Sequence, residues 1–264
     1  MKVEITSKDN KNIKETIKLI NSSKDRYKNK LFVIEGLRLC MDAYITDVHI
    51  KTVFYTHDAM LKHKEEIEKL INKSEQHYIV SDNIMKLLSD TQTPQGIVCV
   101  CTMLDKYITL DKIDINGKYI AFEDLKDPAN LGTILRTLEA LGFESVILSK
   151  GCCDIYNSKV LRGSMGAVFR LKILKCDNIV NDIKFLNSRG FKTYACVVDR
   201  TADYITHVNF KNGDIAIIGN EANGLTNEMI NTCKYKITIP MLGKAESLNA
   251  CAASNIIMWE MMRK

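Results

Sequence analysis

The 264-residue sequence is poor in the residues that break or staple a chain: 3 prolines, 13 glycines and no Cys-x-x-Cys pair. So little Pro and Gly, against 46% apolar and 26% charged residues, excludes collagenous and disordered chains and describes an ordinary globular protein. No apolar run approaches the ~20 residues that a membrane-spanning helix needs, so no membrane association is expected. Behind the charges of MKVEITSKDNKNIKE there is no apolar signal segment, which points away from secretion and toward the cytoplasm. The 5 histidines stand at no ligand-like spacing from the 9 cysteines, so no metal centre is expected. The cysteines are an odd number, set mostly among Val, Ile and Ala as in IVCVC and YACVV, and read as buried reduced thiols.

The charge that is present is mild in sum and uneven in place. Net charge is +5, and residues 1–30 alone hold nine basic against four acidic residues, an excess equal to that of the whole chain. A basic end on a nearly neutral body can gather phosphates; a solvated, lysine-rich helix face would carry the same charges.

Hydrophobic periodicity alternates strand and helix almost throughout. LFVIEG, KTVFYT, HYIV and GIVCVC predict strands in the first half, with helices over 36–46, 58–72 and 82–89, the last capped by Ser81. The polar, turn-rich stretch MLDKYITLDKIDING then breaks the rhythm and places a domain boundary near residue 110, dividing 1–110 from 111–264. Beyond it, YIAFED, SVILSK, FRLKIL, TYACVV, IAIIGN and KITIP predict strands, and 131–141, 155–163, 177–189, 225–231 and 247–262 predict helices. Such alternation with apolar strands implies an α/β domain on a parallel sheet, whose ligands bind beyond the carboxyl ends of the strands.

Three polar clusters lie at such ends. In EDLKDPANLGTILRTLEALG, Asn130 is either a helix N-cap or a site residue, and Arg136, among Leu135, Leu138 and Leu141, needs an anionic partner or a path to solvent. In IAIIGNEANGLTNEM a strand ends in Gly219-Asn220-Glu221. There is no Walker or dinucleotide glycine spacing, but the glycine admits close approach to the backbone and Glu221 can accept hydrogen bonds from a ribose or an amino group. In ITIPMLGKAESLNACAASNIIMWEMMRK, Ser247 opens the last helix as a cap or as a site residue. Ala250 to Ser254 would let that helix approach another backbone closely, within the chain or at a dimer seam, and the Met-Trp-Met stripe after them reads as core.

Together the clusters resemble the SpoU family of RNA 2′-O-ribose methyltransferases, of the SPOUT class. Its motifs stand in order as DPANLGTILR, IIGNEANGL and IPMLGKAESLN, with VLRGSMGAVFRLKI as the connecting segment, over residues 121–262. Ala222 and Leu171-Lys172 depart from the family pattern without touching a residue assigned to chemistry. Residues 31–103 are similar to an L30e-type domain that selects RNA. The resemblance implies a carboxyl-terminal parallel-sheet domain tied in a deep trefoil knot, a homodimer, and S-adenosyl-L-methionine held around Gly219, Ile239, Met241 and Leu248.

It also implies that Arg136 activates the ribose hydroxyl, with Asn130, Glu221, Ser247 and Asn249 positioning the reactants. A guanidinium scarcely deprotonates, so holding a phosphate and stabilising the oxyanion is the physically easier role than that of a base. Lys24, Arg26, Lys28 and Lys30 become the candidate RNA contacts, and ribosomal RNA is favoured over transfer RNA because a separate amino-terminal domain is present. The competing readings are a non-catalytic RNA-binding protein with a degenerate knot, and a dehydrogenase, which the missing GxGxxG argues against.

Overall fold

The computed structural model describes residues 4–104 and 107–263; Lys2 of the basic segment and Asp105 and Lys106 of the boundary stretch lie outside them. The chain forms two compact units, Met1–Asp105 with Asp154–Arg170, and Lys106–Cys153 with Leu171–Lys264. Asp154–Arg170 thus belongs to the first unit although its neighbours on both sides belong to the second.

The first unit carries a four-stranded sheet of β1 (Leu31–Glu35), β2 (Ile50–Tyr55), β3 (Gln76–Ile79) and β4 (Ile97–Thr102), in the order β1-β4-β2-β3. The pairings of β4 are antiparallel and that of β2 with β3 is parallel. Ile97 to Cys101 are all buried, as an uninterrupted apolar run in a central strand requires. Around the sheet lie α1 (Lys11–Asn21), α2 (Ser23–Asn29), α3 (Leu37–Ile45), α4 (His57–Lys62), α5 (Lys64–Lys73), α6 (Asp82–Leu88) and α8 (Ser158–Ser164). The helix predicted over 58–72 is two, α4 and α5, because His63 leaves helical geometry at φ −135°, ψ 45°.

Among the described residues the second unit holds seven strands, all paired in parallel: β5 (Tyr119–Phe122), β6 (Ser145–Ser149), β7 (Lys172–Cys176), β8 (Lys192–Cys196), β9 (Asp203–Tyr204), β10 (Asp214–Ile218) and β11 (Tyr235–Thr238). Their order is β7-β6-β5-β10-β8-β11-β9. β7 starts three residues later than FRLKIL predicts, since Met165 and Gly166 turn at φ 48° and 79° and Ala167–Phe169 wind into a 3₁₀ turn. The helices are α7 (Pro128–Ala140), α9 (Ile179–Ser188), α10 (Asn227–Thr232) and α11 (Ala250–Met262). On α11, Ala250, Ser254, Met258 and Met261 are buried, whereas Trp259 is 62% exposed and is not part of the core. No helix among the described residues is long and apolar enough to cross a membrane.

One expectation for the amino-terminal charges is corrected. Lys24, Lys28 and Lys30 are exposed, but Arg26 is only 4% exposed and cannot meet a phosphate. Its Nη1 donates to the carbonyls of Leu19 and Ile20 at 2.7 and 3.0 Å, at the end of α1 where helical carbonyls lack partners. Its Nε and Nη2 both donate to Asp154 Oδ2, at 2.8 and 2.7 Å. Asp154 Oδ1 accepts in turn from the Tyr156 N–H and the Tyr27 hydroxyl. Removing one side of a buried pair strands the other, at a cost of about 3–5 kcal/mol. Arg26→Ala and Asp154→Ala should each lower stability to urea by about that amount, and Lys24→Ala by less than about 0.5 kcal/mol; equal effects of all three would remove the pair from the account of this unit.

Candidate functional site

At the carboxyl edge of the seven-stranded sheet, β5 ends at Phe122 and α7 begins at Pro128. Asp127, not Asn130, caps α7: its Oδ1 accepts from the N–H groups of Ala129 and Asn130 at 2.7 and 3.0 Å. That frees the Asn130 side chain. Similarly α11 is capped by Asn249, whose Oδ1 accepts from Cys251 and Ala252 at 2.8 and 3.3 Å, while Ser247 lies upstream in the exposed loop.

The released Asn130 side chain reaches Glu221, whereas Ser247 makes no hydrogen bond to this group among the described residues. Glu221 Oε1 accepts from the Asp127 N–H at 2.9 Å and from Asn130 Nδ2 at 3.2 Å, and its Oε2 from the Lys126 N–H at 3.1 Å. Asn130 Oδ1 then accepts from Asn249 Nδ2 at 3.2 Å. Residues from all three sequence clusters are therefore joined in one hydrogen-bonded chain. Partial burial pushes the Glu221 carboxyl up, but the N–H groups of Asp127 and Lys126 outweigh it and hold it below the ordinary carboxylate range.

Below this chain lies a cavity of about 650 Å³, within the ~300–1,000 Å³ of small-molecule sites. Gly219, Ile239, Met241 and Leu248 all line it, with Glu221, Ser247 and Asp199. Gly219 is required for a reason other than ligand approach, since a Cβ there would collide with the backbone of Gly224 and Leu225. Spacing alone does not single out Glu123, a carboxylate 7% exposed whose oxygens accept from the N–H and the hydroxyl of Thr226, each at 2.8 Å. It ties the end of β5 to the start of α10. An acidic residue directly after an apolar strand was the available signal.

Arg136 stands apart from this chain and does not line the cavity. It lies on the exposed face of α7 with Ala129, Thr133 and Ala140, and makes no hydrogen bond or ion pair among the described residues, so its path is to solvent. Burial pushes the Cys101 and Cys196 thiols up, and that of Cys233 to about 12, so none of the three is an activated nucleophile. Of the nine, Cys40, Cys99, Cys101 and Cys176 are buried and the others are half-buried; all are free.

Both parts of the chain match known families. Residues 10–99 match the MRM3-like substrate binding domain. The chain is 28% identical over 258 residues to the 23S rRNA (guanosine(2553)-2′-O)-methyltransferase RlmP of Bacillus subtilis, covering 98% of both chains. It is 27% identical to the 23S rRNA (uridine(2479)-2′-O)-methyltransferase of Streptomyces viridochromogenes, over 93% of this chain and 87% of that one. The solved AdoMet bound rRNA methyltransferase from Sinorhizobium meliloti superposes with a TM-score of 0.86 at 27% identity, covering 98% of this chain and 97% of that one. Residues 117–259, more than half of the chain and all of the site just described, match the SpoU rRNA Methylase family, to which this protein belongs.

Proposed function

We propose that the protein transfers a methyl group from S-adenosylmethionine to a ribose 2′-hydroxyl of 23S ribosomal RNA. The observation that carries the proposal is the Glu221–Asn130–Asn249 chain, which assembles three distant loops over a cavity of ligand size. Two relatives named as 23S rRNA 2′-O-methyltransferases, each aligned over nearly the whole chain, support the choice of substrate. The cavity fits the cofactor: Ile239, Met241 and Leu248 offer apolar surface, and Gly219 exposes backbone. When bound, the cofactor supplies an electrophilic methyl carbon on a sulfonium.

The chain's own residues must prepare the oxygen that attacks. A ribose hydroxyl is a very weak acid, so the developing oxyanion needs a cation close by. Arg136 is charged, unpaired among the described residues and forked to match a phosphate, so it can hold the backbone of the RNA and stabilise the oxygen as its proton leaves. Three of the roughly four acceptor positions of Glu221 are already taken, which makes it a positioning residue rather than a base.

A homodimer belongs to the same reading, supported by Ala252, Ile256 and Trp259, an apolar exposed stripe at helical spacing on α11. So does the trefoil knot, supported by a sheet order in which β8 lies between β10 and β11. The division into an RNA-selecting first unit and a methyltransferase second unit, the expected 1–110 and 111–264 but for a boundary at 105/106 and the return of Asp154–Arg170 to the first, with Lys24, Lys28 and Lys30 as phosphate contacts, and a cytoplasmic location complete it.

Labelled methyl transfer to total RNA from cells lacking the protein tests the reaction. Label should appear as 2′-O-methyl nucleosides in 23S ribosomal RNA; label confined to transfer RNA would overturn the substrate, and failure to bind the cofactor would favour a non-catalytic RNA binder. Arg136→Ala should lower kcat by at least about 100-fold, the scale of losing an oxyanion stabiliser, with cofactor affinity unchanged; turnover near wild type would remove it from the mechanism. Glu221→Gln should weaken cofactor binding and kcat together by about tenfold, since a carboxamide has one acceptor oxygen and cannot accept from the amides of Asp127 and Lys126 at once. In the native protein the stabilising effect of this carboxylate is complete above its unfolded value. It disappears only as pH falls through the lowered folded-state value, so activity that vanished already near neutral pH would contradict this role. Replacing Lys24, Lys28 and Lys30 together by Gln should flatten the salt dependence of RNA binding by about three units of log–log slope without altering cofactor affinity.

A further inference from the structure

The first unit has a large cavity of its own, which none of the roles above uses. At about 660 Å³ it matches the cofactor cavity in size. It opens at one edge of the four-stranded sheet: Arg38 follows β1, Thr56 follows β2, Lys86 lies on the helix after β3, and Gln95 leads into the antiparallel β4. Met41 and Met85 supply apolar surface beside them. This is the edge at which α/β sheets place ligands, because the segments leaving the strands meet there.

Asp58, Glu66 and Asp82 also line the cavity, and Lys62 is paired with Asp58 at 2.7 Å, but the remaining cations and donors are left for a ligand. Arg38 and Lys86 are exposed and make no hydrogen bond or ion pair among the described residues. Gln95 Oε1 accepts from the Leu37 N–H at 2.9 Å, which fixes the orientation of the carboxamide and leaves its amide nitrogen as a donor. The Thr56 hydroxyl accepts from the Ala59 N–H at 3.2 Å, so its own hydrogen can point outward. A second cavity of about 430 Å³ continues on the other side of Arg38 and Gln95. Two unpaired cations, the oriented Gln95 amide with the Thr56 hydroxyl behind it, and thioether surface suit a phosphodiester, a base edge and a base face in turn. A duplex keeps its base faces stacked and out of reach; an unstacked nucleotide of a loop or bulge presents all three.

We infer that this cavity captures an unpaired nucleotide of the substrate RNA, with Arg38 and Lys86 on its phosphates and Gln95 and Thr56 on its base edge. The inference rests on the RNA methyltransferase reading and assigns substrate selection to these residues in addition to the exposed lysines of α2 and its C-cap.

The test uses the full-length protein and transcribed 23S ribosomal RNA containing 4-thiouridine, with binding measured directly and photo-cross-links mapped by mass spectrometry. R38Q/K86Q should bind the RNA about tenfold more weakly while cofactor affinity is unchanged; K51Q/K69Q, which removes the same charge from exposed lysines outside the cavity, should stay within about twofold. Q95A should weaken RNA binding without changing its salt slope, as expected for a base contact. Cross-links should fall on peptides containing Arg38, Lys86 or Gln95. Equal weakening by the two double variants, cross-links only elsewhere, no binding of the RNA by the wild-type protein, or occupation by free nucleoside monophosphates with no effect of R38Q/K86Q on RNA would each overturn it. Should the wild-type protein bind the RNA through Arg38 and Lys86 yet transfer no methyl group to it, the catalytic reading fails and the cavity assignment stands.

Discussion

The carboxylate of Glu221 is the point at which the loops of the second unit become one site. A parallel sheet delivers the segments leaving β5, β10 and β11 to the same edge, but nothing in strand pairing makes those segments touch. Each arrives with backbone donors that the sheet no longer satisfies. Glu221 takes two of them, from Lys126 and Asp127, and through Asn130 it reaches Asn249 at the head of α11. Its lowered pKa is the signature of those donors prevailing over burial.

That carboxylate can be where it is only because the 219–225 loop folds back on itself. Asn220 and Gly224 exchange two backbone hydrogen bonds, at 3.0 and 2.9 Å, and the backbone of Gly224 and Leu225 occupies the space a side chain on Gly219 would need. Gly224 itself turns at φ 67°, where glycine bears no Cβ penalty. Two further contacts brace the fold-back from the β5 side: Asn220 Nδ2 donates to the Asp124 carbonyl at 2.8 Å, and Glu123 holds Thr226 by its N–H and its hydroxyl. The glycines thus act on the site through chain geometry, and the ligand-facing chemistry follows from it.

Much of this could be read from spacing and polarity, and the parts that could not have definite physical causes. Apolar runs such as YIAF and IAII announce buried strands because a parallel sheet covered on both faces leaves no alternation to interpret. The motif residues Gly219, Ile239, Met241 and Leu248 do converge on one cavity. Capping was less readable. Asn130 and Ser247 have the right chemistry for N-caps, yet Asp127 and Asn249 do the capping, because a helix start depends on where the incoming strand releases the chain as well as on residue type. The displacement is functionally favourable at Asn130, whose side chain is left to bridge Glu221 and Asn249. Trp259 escaped because a helix as uniformly apolar as α11 shows no polar face from which to infer the exposed one.

Two arginines show why local composition misjudges burial. Arg26 sits in SKDRYKN, a segment polar enough to read as solvated, and it is among the most buried charges of the chain. Arg136 sits among leucines and is exposed. What decides each case is the face and what waits there. Arg26 meets the unpaired carbonyls of α1 and the carboxylate of Asp154, enough acceptors to replace its hydration. On α7 the positions of Leu131, Ile134, Leu135 and Leu138 take the buried face, so Arg136 falls by helical period with Thr133 and Ala140 on the open side. A guanidinium already saturated, as Arg26 is, has nothing to offer an incoming anion. One kept in water by its helix and free of partners can exchange that water for a phosphate, and the same exposure that makes Arg136 irrelevant to stability is what its proposed role in methyl transfer needs.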